Sequence, residues 1–148
     1  MSKQPAQQQD HQHILFVCVG NSGRSQMAEA FAKKRGLSAS SAGAVPKERV
    51  NPAVVQLMQE KGIDISSNKP KMLTAEMINE ASIVITMGCS VEAACPRPML
   101  AVMQKKLVDW NLEDPEGKSV EEIRSIRDEV ERRVAELSYQ QRSRRSRG

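Results

Sequence analysis

Long hydrophobic runs are missing from this 148-residue sequence. No apolar stretch approaches the roughly 20 residues that cross a bilayer, which argues against a helical membrane span. The N-terminus, MSKQPAQQQDHQH, is polar where a secretory leader would be apolar, so a cytoplasmic location is expected. Cysteines are few and odd in number: Cys18, Cys89 and Cys95. That disfavours a disulfide framework and favours catalytic or redox thiols. No internal repeat is present. The length suits one domain, since domains commonly run to about 100–150 residues.

Aromatic residues are also rare, and none is interleaved with the arginines of the C-terminal RSRRSRG, as a base-stacking surface requires. Arg142, Arg144, Arg145 and Arg147 supply the whole of the net charge of +4, so the rest of the chain is close to neutral. The segment reads as a solvated, disordered basic tail with no nucleic-acid contact expected. The boundaries that follow are a disordered tail over 1–12 containing His11, a single catalytic domain over 13–138, and the basic tail over 139–148. His13, beside that first tail, is likewise read as belonging to it.

What is present alternates between strand-like and helix-like patterns. Ile14, Leu15, Phe16 and Val17 form a buried first strand that ends at Cys18. The following SQMAEAFAKKRG is rich in helix formers, stops at Gly36, and places Ser25 near its N-cap. A short strand is expected over 38–42. Asn51 and Pro52 then read as N-cap and first position of a second helix that ends at Gly62. Thr74 can cap a third helix, SIVITM (82–87) is the most strand-like run, and a fourth strand covers Lys106 to Trp110. Ser119 and Glu122 form a capping box. Behind it Val120, Ile123, Ile126, Val130, Val134 and Leu137 recur at helical spacing. Strands alternating with helices imply an α/β fold, a three-layer parallel sheet whose ligands sit beyond the carboxyl ends of the strands.

Cys18, Cys89 and the loop holding Asp114 each follow an expected strand, so they can converge at that end. In Cys18-Val-Gly-Asn-Ser-Gly-Arg24-Ser25, a Cys and an Arg bracket a glycine-containing loop between strand and helix. Glycines let successive N–H groups point inward, and the helix start adds its positive end, so Val19, Gly20, Asn21, Ser22, Gly23, Arg24 and Ser25 read as an oxyanion cradle. Arg24 supplies a planar fork matched to two oxygens of a tetrahedral anion. The same positive field favours negative charge on the Cys18 sulfur, to which Ser25 can donate.

The stretch CVGNSGRSQMAEAF resembles the catalytic loop and first helix of the low-molecular-weight protein tyrosine phosphatase superfamily, in particular its arsenate reductase branch. The resemblance continues through Ser41-Ala42-Gly43, Asn51-Pro52, Gly62-Ile-Asp-Ile-Ser66 and Asp114-Pro115 to the last helix. It implies a four-stranded parallel sheet with helices on both faces, Cys18 as nucleophile, Arg24 as oxyanion clamp, Asp114 as general acid, and Asn21 and Ser41 as loop-shaping residues. For the reductase branch it further implies that Cys18 attacks arsenate, Cys89 attacks the adduct sulfur, and Cys95 then takes over Cys89. No bound cofactor or metal is implied. The electrons come from thioredoxin or a low-molecular-weight thiol, and the protein is expected to be a monomer that also accepts phosphate or sulfate as substrate analogues.

Three features depart from that pattern. The Cys89–Cys95 spacing is one residue shorter than in thioredoxin-linked members, which leaves the reductant open. Position 23 is Gly where many members carry a further Cys. Lys69 and Lys71 fall where some members have oxygen ligands for potassium, so an ammonium can stand in for that ion. The competing readings of the residues are a phosphatase that ignores the second and third thiols, and an oxyanion or nucleic-acid binder. Cys89 and Cys95 alone could also be inert apolar residues or two zinc ligands, although closed zinc sites use more ligands. Glu116 follows Asp114-Pro115 where the phosphatase branch usually has an aromatic residue, and this counts against an aryl substrate.

Overall fold

The computed structural model describes residues 12–88 and 106–147, with side chains as far as Gln140. Its elements in chain order are β1 (His13–Cys18), α1 (Arg24–Lys34), β2 (Ser38–Gly43), α2 (Pro52–Gln59), α3 (Ala75–Glu80), β3 (Ile83–Thr86), β4 (Leu107–Asp109) and α4 (Val120–Arg147). The four strands form one parallel sheet in the order β2-β1-β3-β4. Chain order reverses between β1 and β3, so the segments that leave those two strands diverge. A crevice at such a switch point is where open α/β sheets bind ligands, and Cys18 ends β1 there.

Burial explains why β1 is central. Ile14, Leu15, Phe16 and Val17 are all fully buried, each worth roughly 1.5–3 kcal/mol relative to exposure. Successive side chains alternate between faces. Ile14 and Phe16 pack with Met27, Phe31, Val54, Met58, Val130 and Val134 on the face covered by α1, α2 and α4. Leu15 and Val17 pack with Leu73, Ile78 and Val84 on the face covered by α3. The expected three-layer arrangement is therefore present, with helices on both faces.

The expected caps are also present. Asn51 Oδ1 accepts from Ala53 N at 2.9 Å ahead of Pro52, and Thr74 Oγ1 accepts from Met77 N at 3.1 Å. Ser119 and Glu122 exchange side-chain and backbone hydrogen bonds at 2.9 and 3.2 Å, completing the capping box. Between α2 and α4, Arg127 donates to Leu57 O at 2.9 Å and to Glu60 at 2.7 Å. Hydrogen bonds from Arg124 and Arg127 pull the Glu60 carboxyl down to about 2.

Ser25 lies near the start of α1 as expected, two residues past the N-cap Gly23, with its hydroxyl facing Cys18 rather than capping the helix. Two boundaries differ from the sequence reading. His13 is the first residue of β1, its ring nitrogens 2.6 and 2.9 Å from Ser38 Oγ and Ser40 Oγ. Past residue 138, where the charge pattern implies a disordered tail, α4 runs on to Arg147. Nothing between Tyr139 and Arg147 breaks a helix. Among the described residues no helix is long and apolar enough to cross a membrane.

Candidate active site

The catalytic-loop segment wraps around one sulfur. Cys18 is buried at the end of β1, with Sγ 3.2 Å from the Asn21 backbone N–H that donates to it and 2.8 Å from Ser25 Oγ. Asn21 holds the turn in the left-handed region at φ 51°. That cost is offset because every polar atom of its side chain is engaged. Asn21 Nδ2 donates to Ser25 Oγ at 2.7 Å and to Ser41 Oγ at 3.0 Å, while Oδ1 accepts from Gln26 Nε2 at 3.0 Å and Lys71 N at 2.8 Å. Since Asn21 already donates to Ser25 Oγ, the hydroxyl proton of Ser25 is left for the sulfur.

Behind the loop the network ends on a carboxylate. Ser41 Oγ donates to Glu29 Oε1 at 2.5 Å, and the ammonium groups of Lys33 and Lys71 stand 2.7 and 3.7 Å from Glu29. Lys71 is thus the lysine whose side chain reaches the carboxylate, whereas Lys69 offers its backbone oxygen to Gln26 Nε2 at 3.3 Å. Two ammonium groups thus face the Glu29 carboxylate. No local pattern marks Gln26 or Glu29, because a polar residue on a helix normally faces water and only the folded loop shows what they hold.

Arg24 is 3% exposed and is held by the segments that follow β3 and β4. Its Nη1 donates to Met87 O at 3.1 Å and Leu112 O at 2.9 Å, and its Nη2 is 3.8 Å from Asp114 Oδ2. The Asp114 segment is itself held from below. Trp110 packs on Phe16 with ring centroids 5.7 Å apart, and Arg133 donates to Trp110 O at 2.9 Å. Leu112 N then donates to Met87 O at 3.0 Å. Gly88 has φ 100°, and a Cβ there would stand 2.6 Å from both N and O of Leu112, so only glycine lets these segments pass so closely.

These parts enclose a cavity of about 170 Å³ lined by Cys18, Val19, Gly20, Ser22, Gly23, Arg24, Lys47, Asp114, Pro115 and Glu116. Asn21 and Ser25, which the sequence places in the cradle, are not among its lining residues. Both are fully buried and act on the cradle through their hydrogen bonds. Cys89 and Cys95 lie outside the described residues. Among the described residues no cluster of three or more His, Cys, Asp or Glu side chains could hold a metal ion. A buried sulfur with two donors, a fixed guanidinium and a carboxylate beside the opening can bind a tetrahedral oxyanion, attack its centre, and protonate a departing oxygen.

Residues 13–146 match the family described as low molecular weight phosphotyrosine protein phosphatase. The chain belongs to this family. A relative named glutaredoxin arsenate reductase, from Synechocystis, is 39% identical over 128 residues, spanning 84% of this chain and 94% of that protein. A solved structure described as an arsenate reductase in the phosphate binding state superposes with a TM-score of 0.74 at 35% identity, covering 87% of this chain and 98% of that one. The YwlE arginine phosphatase from Geobacillus stearothermophilus superposes with a TM-score of 0.82 at 26% identity, covering 92% and 96%.

Within the family fold, Gly43 sets the height of the catalytic loop. A Cβ on Gly43 would stand 2.7 Å from Val19 O and 2.9 Å from Asn21 N, so Gly43→Ala must push the loop away from β2. Overpacking of this kind costs about 1–3 kcal/mol. Urea denaturation should show that loss together with weaker phosphate binding; unchanged values for both would mean the loop is not held against β2.

Proposed function

We propose that this protein is an arsenate reductase in which Cys18 is the nucleophile, Arg24 the oxyanion clamp and Asp114 the general acid. The observation that carries the reading is the cavity over Cys18. It is small, and its described walls are polar or aliphatic with no aromatic side chain, which suits a bare oxyanion better than an aryl ester. The 39% identity to an arsenate reductase over most of the chain supports the same reading.

In the proposed reaction the Cys18 thiolate forms a bond to arsenic while Asp114 protonates the departing oxygen, which leaves as water. Cys89 then attacks the Cys18 sulfur. A Cys18–Cys89 disulfide forms, the electron pair of the sulfur–arsenic bond passes to arsenic, and arsenite leaves in the trivalent state. Cys95 displaces Cys18 from Cys89, which restores the thiolate and leaves a Cys89–Cys95 disulfide for an external thiol. The relay needs cysteines that begin reduced, which fits a cytoplasmic setting. Thioredoxin is the proposed donor; the name of the Synechocystis relative makes glutaredoxin the alternative to test beside it.

A second activity is favoured by the match to the phosphotyrosine protein phosphatase family: slow hydrolysis of phosphate monoesters by the same Cys18, Arg24 and Asp114. The deciding experiment couples the purified protein to NADPH oxidation through thioredoxin and its reductase, or through glutaredoxin and glutathione, beside an ester hydrolysis assay. Arsenate-dependent NADPH use faster than ester turnover supports the reading. Fast ester turnover with no arsenate-dependent NADPH use by either route contradicts it.

The relay separates the thiols by where each variant stalls. Cys95→Ser should complete about one turnover and stop with Cys18 bonded to Cys89, a species visible by mass spectrometry after alkylation, because Cys95 acts only after arsenite has left. Wild-type steady-state rates in Cys95→Ser would replace the three-thiol relay with a two-thiol one.

A further inference from the structure

The cavity over Cys18 adjoins a larger groove of about 350 Å³, and Lys47, Asp114, Pro115 and Glu116 line both. Lys47 belongs to the catalytic-loop side. Its backbone N–H donates to Gly20 O at 3.0 Å, and its stem lies 3.0–3.3 Å from where a Cβ on Gly20 would stand. Glu116 belongs to the opposite side, where its backbone N–H donates to Asp114 Oδ1 at 3.0 Å. The Lys47 ammonium and the Glu116 carboxylate are ion-paired. The pair therefore ties the anion loop to the Asp114 turn where cavity and groove meet.

We propose that the Lys47–Glu116 ion pair is a latch that sets substrate size, admitting bare tetrahedral oxyanions and disfavouring those that carry an organic substituent. The inference rests on the reading of the Cys18 cavity as an oxyanion site and adds its size selection. A bare oxyanion occupies the cavity with the pair closed. A substituted one must lay its organic group in the groove, and that parts the pair. Lys47 and Glu116 are 47% and 65% exposed, and exposed pairs are weak, so the latch tunes a ratio rather than blocking entry. The cost falls on the substituted ligand alone, and an effect of about two- to fivefold is expected from such a pair. It should fade as salt screens the charges.

Calorimetric titration of the full chain with inorganic phosphate and with phenylphosphonate tests this in wild type, Lys47→Met, Glu116→Gln and the charge-swapped Lys47→Glu/Glu116→Lys. Methionine keeps an apolar stem over Gly20, and the ratio of the two dissociation constants largely cancels the change in net charge. The preference for phosphate should fall about two- to fivefold in each single variant and recover towards wild type in the swap. In wild type it should fall in about 1 M KCl. An unchanged preference in both single variants overturns the latch, as does a swapped protein as permissive as the singles. Binding is read without turnover, so a protein that fails to reduce arsenate refutes the functional reading while the binding ratio still decides for or against the latch.

Discussion

Cys18→Ser is expected to lower both arsenite release and phosphate ester hydrolysis by at least about a thousandfold. A serine hydroxyl is hardly ionised at neutral pH, and among the described residues no base is hydrogen-bonded to the Cys18 side chain to compensate. Its two hydrogen-bond partners, Asn21 N and Ser25 Oγ, are arranged to donate to the sulfur rather than to take a proton from it. Because the substitution is nearly isosteric, denaturation midpoints should stay close to wild type, which separates lost chemistry from lost fold. Near-normal turnover in Cys18→Ser would remove this loop from the reaction.

Arg24→Lys should be almost as severe, with kcat/KM falling about 100- to 1000-fold, the range seen when one donor to a developing charge is removed. An ammonium is a point charge without the planar fork that matches two oxygens. It also cannot reproduce the double anchor of Nη1 on Met87 O and Leu112 O. Met87 O keeps the Leu112 N–H, but the part-buried Leu112 O loses the guanidinium; a hydrogen bond is worth about 0.5–1.5 kcal/mol net, so a small drop in urea midpoint should accompany the kinetic loss. Steady-state kinetics beside equilibrium unfolding divide the two effects. A variant within about threefold of wild type in kcat/KM would mean that Arg24 is chiefly an anchor for the strand ends.

Features carried by neighbouring residues are legible in the sequence. Asn51-Pro52, Thr74 and the Ser119–Glu122 box announce helix starts because a cap acts within three residues. The apolar run before Cys18 announces a buried strand because central parallel strands are covered on both faces. Ser25 is legible in part: the sequence places it both near a helix start and within reach of the Cys18 sulfur, and the folded positions of Asn21 and Cys18 direct its hydroxyl to the sulfur. The charge of the arginine-rich end suggests a tail, whereas Tyr139 to Arg147 contain no helix breaker and extend a helix already anchored by the core contacts of Val130, Val134 and Leu137. Lys47 with Glu116, and Lys71 with Glu29, meet across 69 and 42 residues of sequence, and no local pattern encodes such pairs.

Single-turnover chemistry tests the proposed reaction most directly, because it does not depend on the identity of the external donor. Fully reduced protein is mixed with excess arsenate in the absence of any other thiol, and arsenite and free thiols are counted after quenching. Reduction by Cys18 with the relay of Cys89 and Cys95 predicts one arsenite per chain and the loss of two of the three thiols, with Cys18 recovered free and Cys89 bonded to Cys95. All three thiols still free and no arsenite formed, in a protein that binds phosphate and hydrolyses its esters, would contradict it.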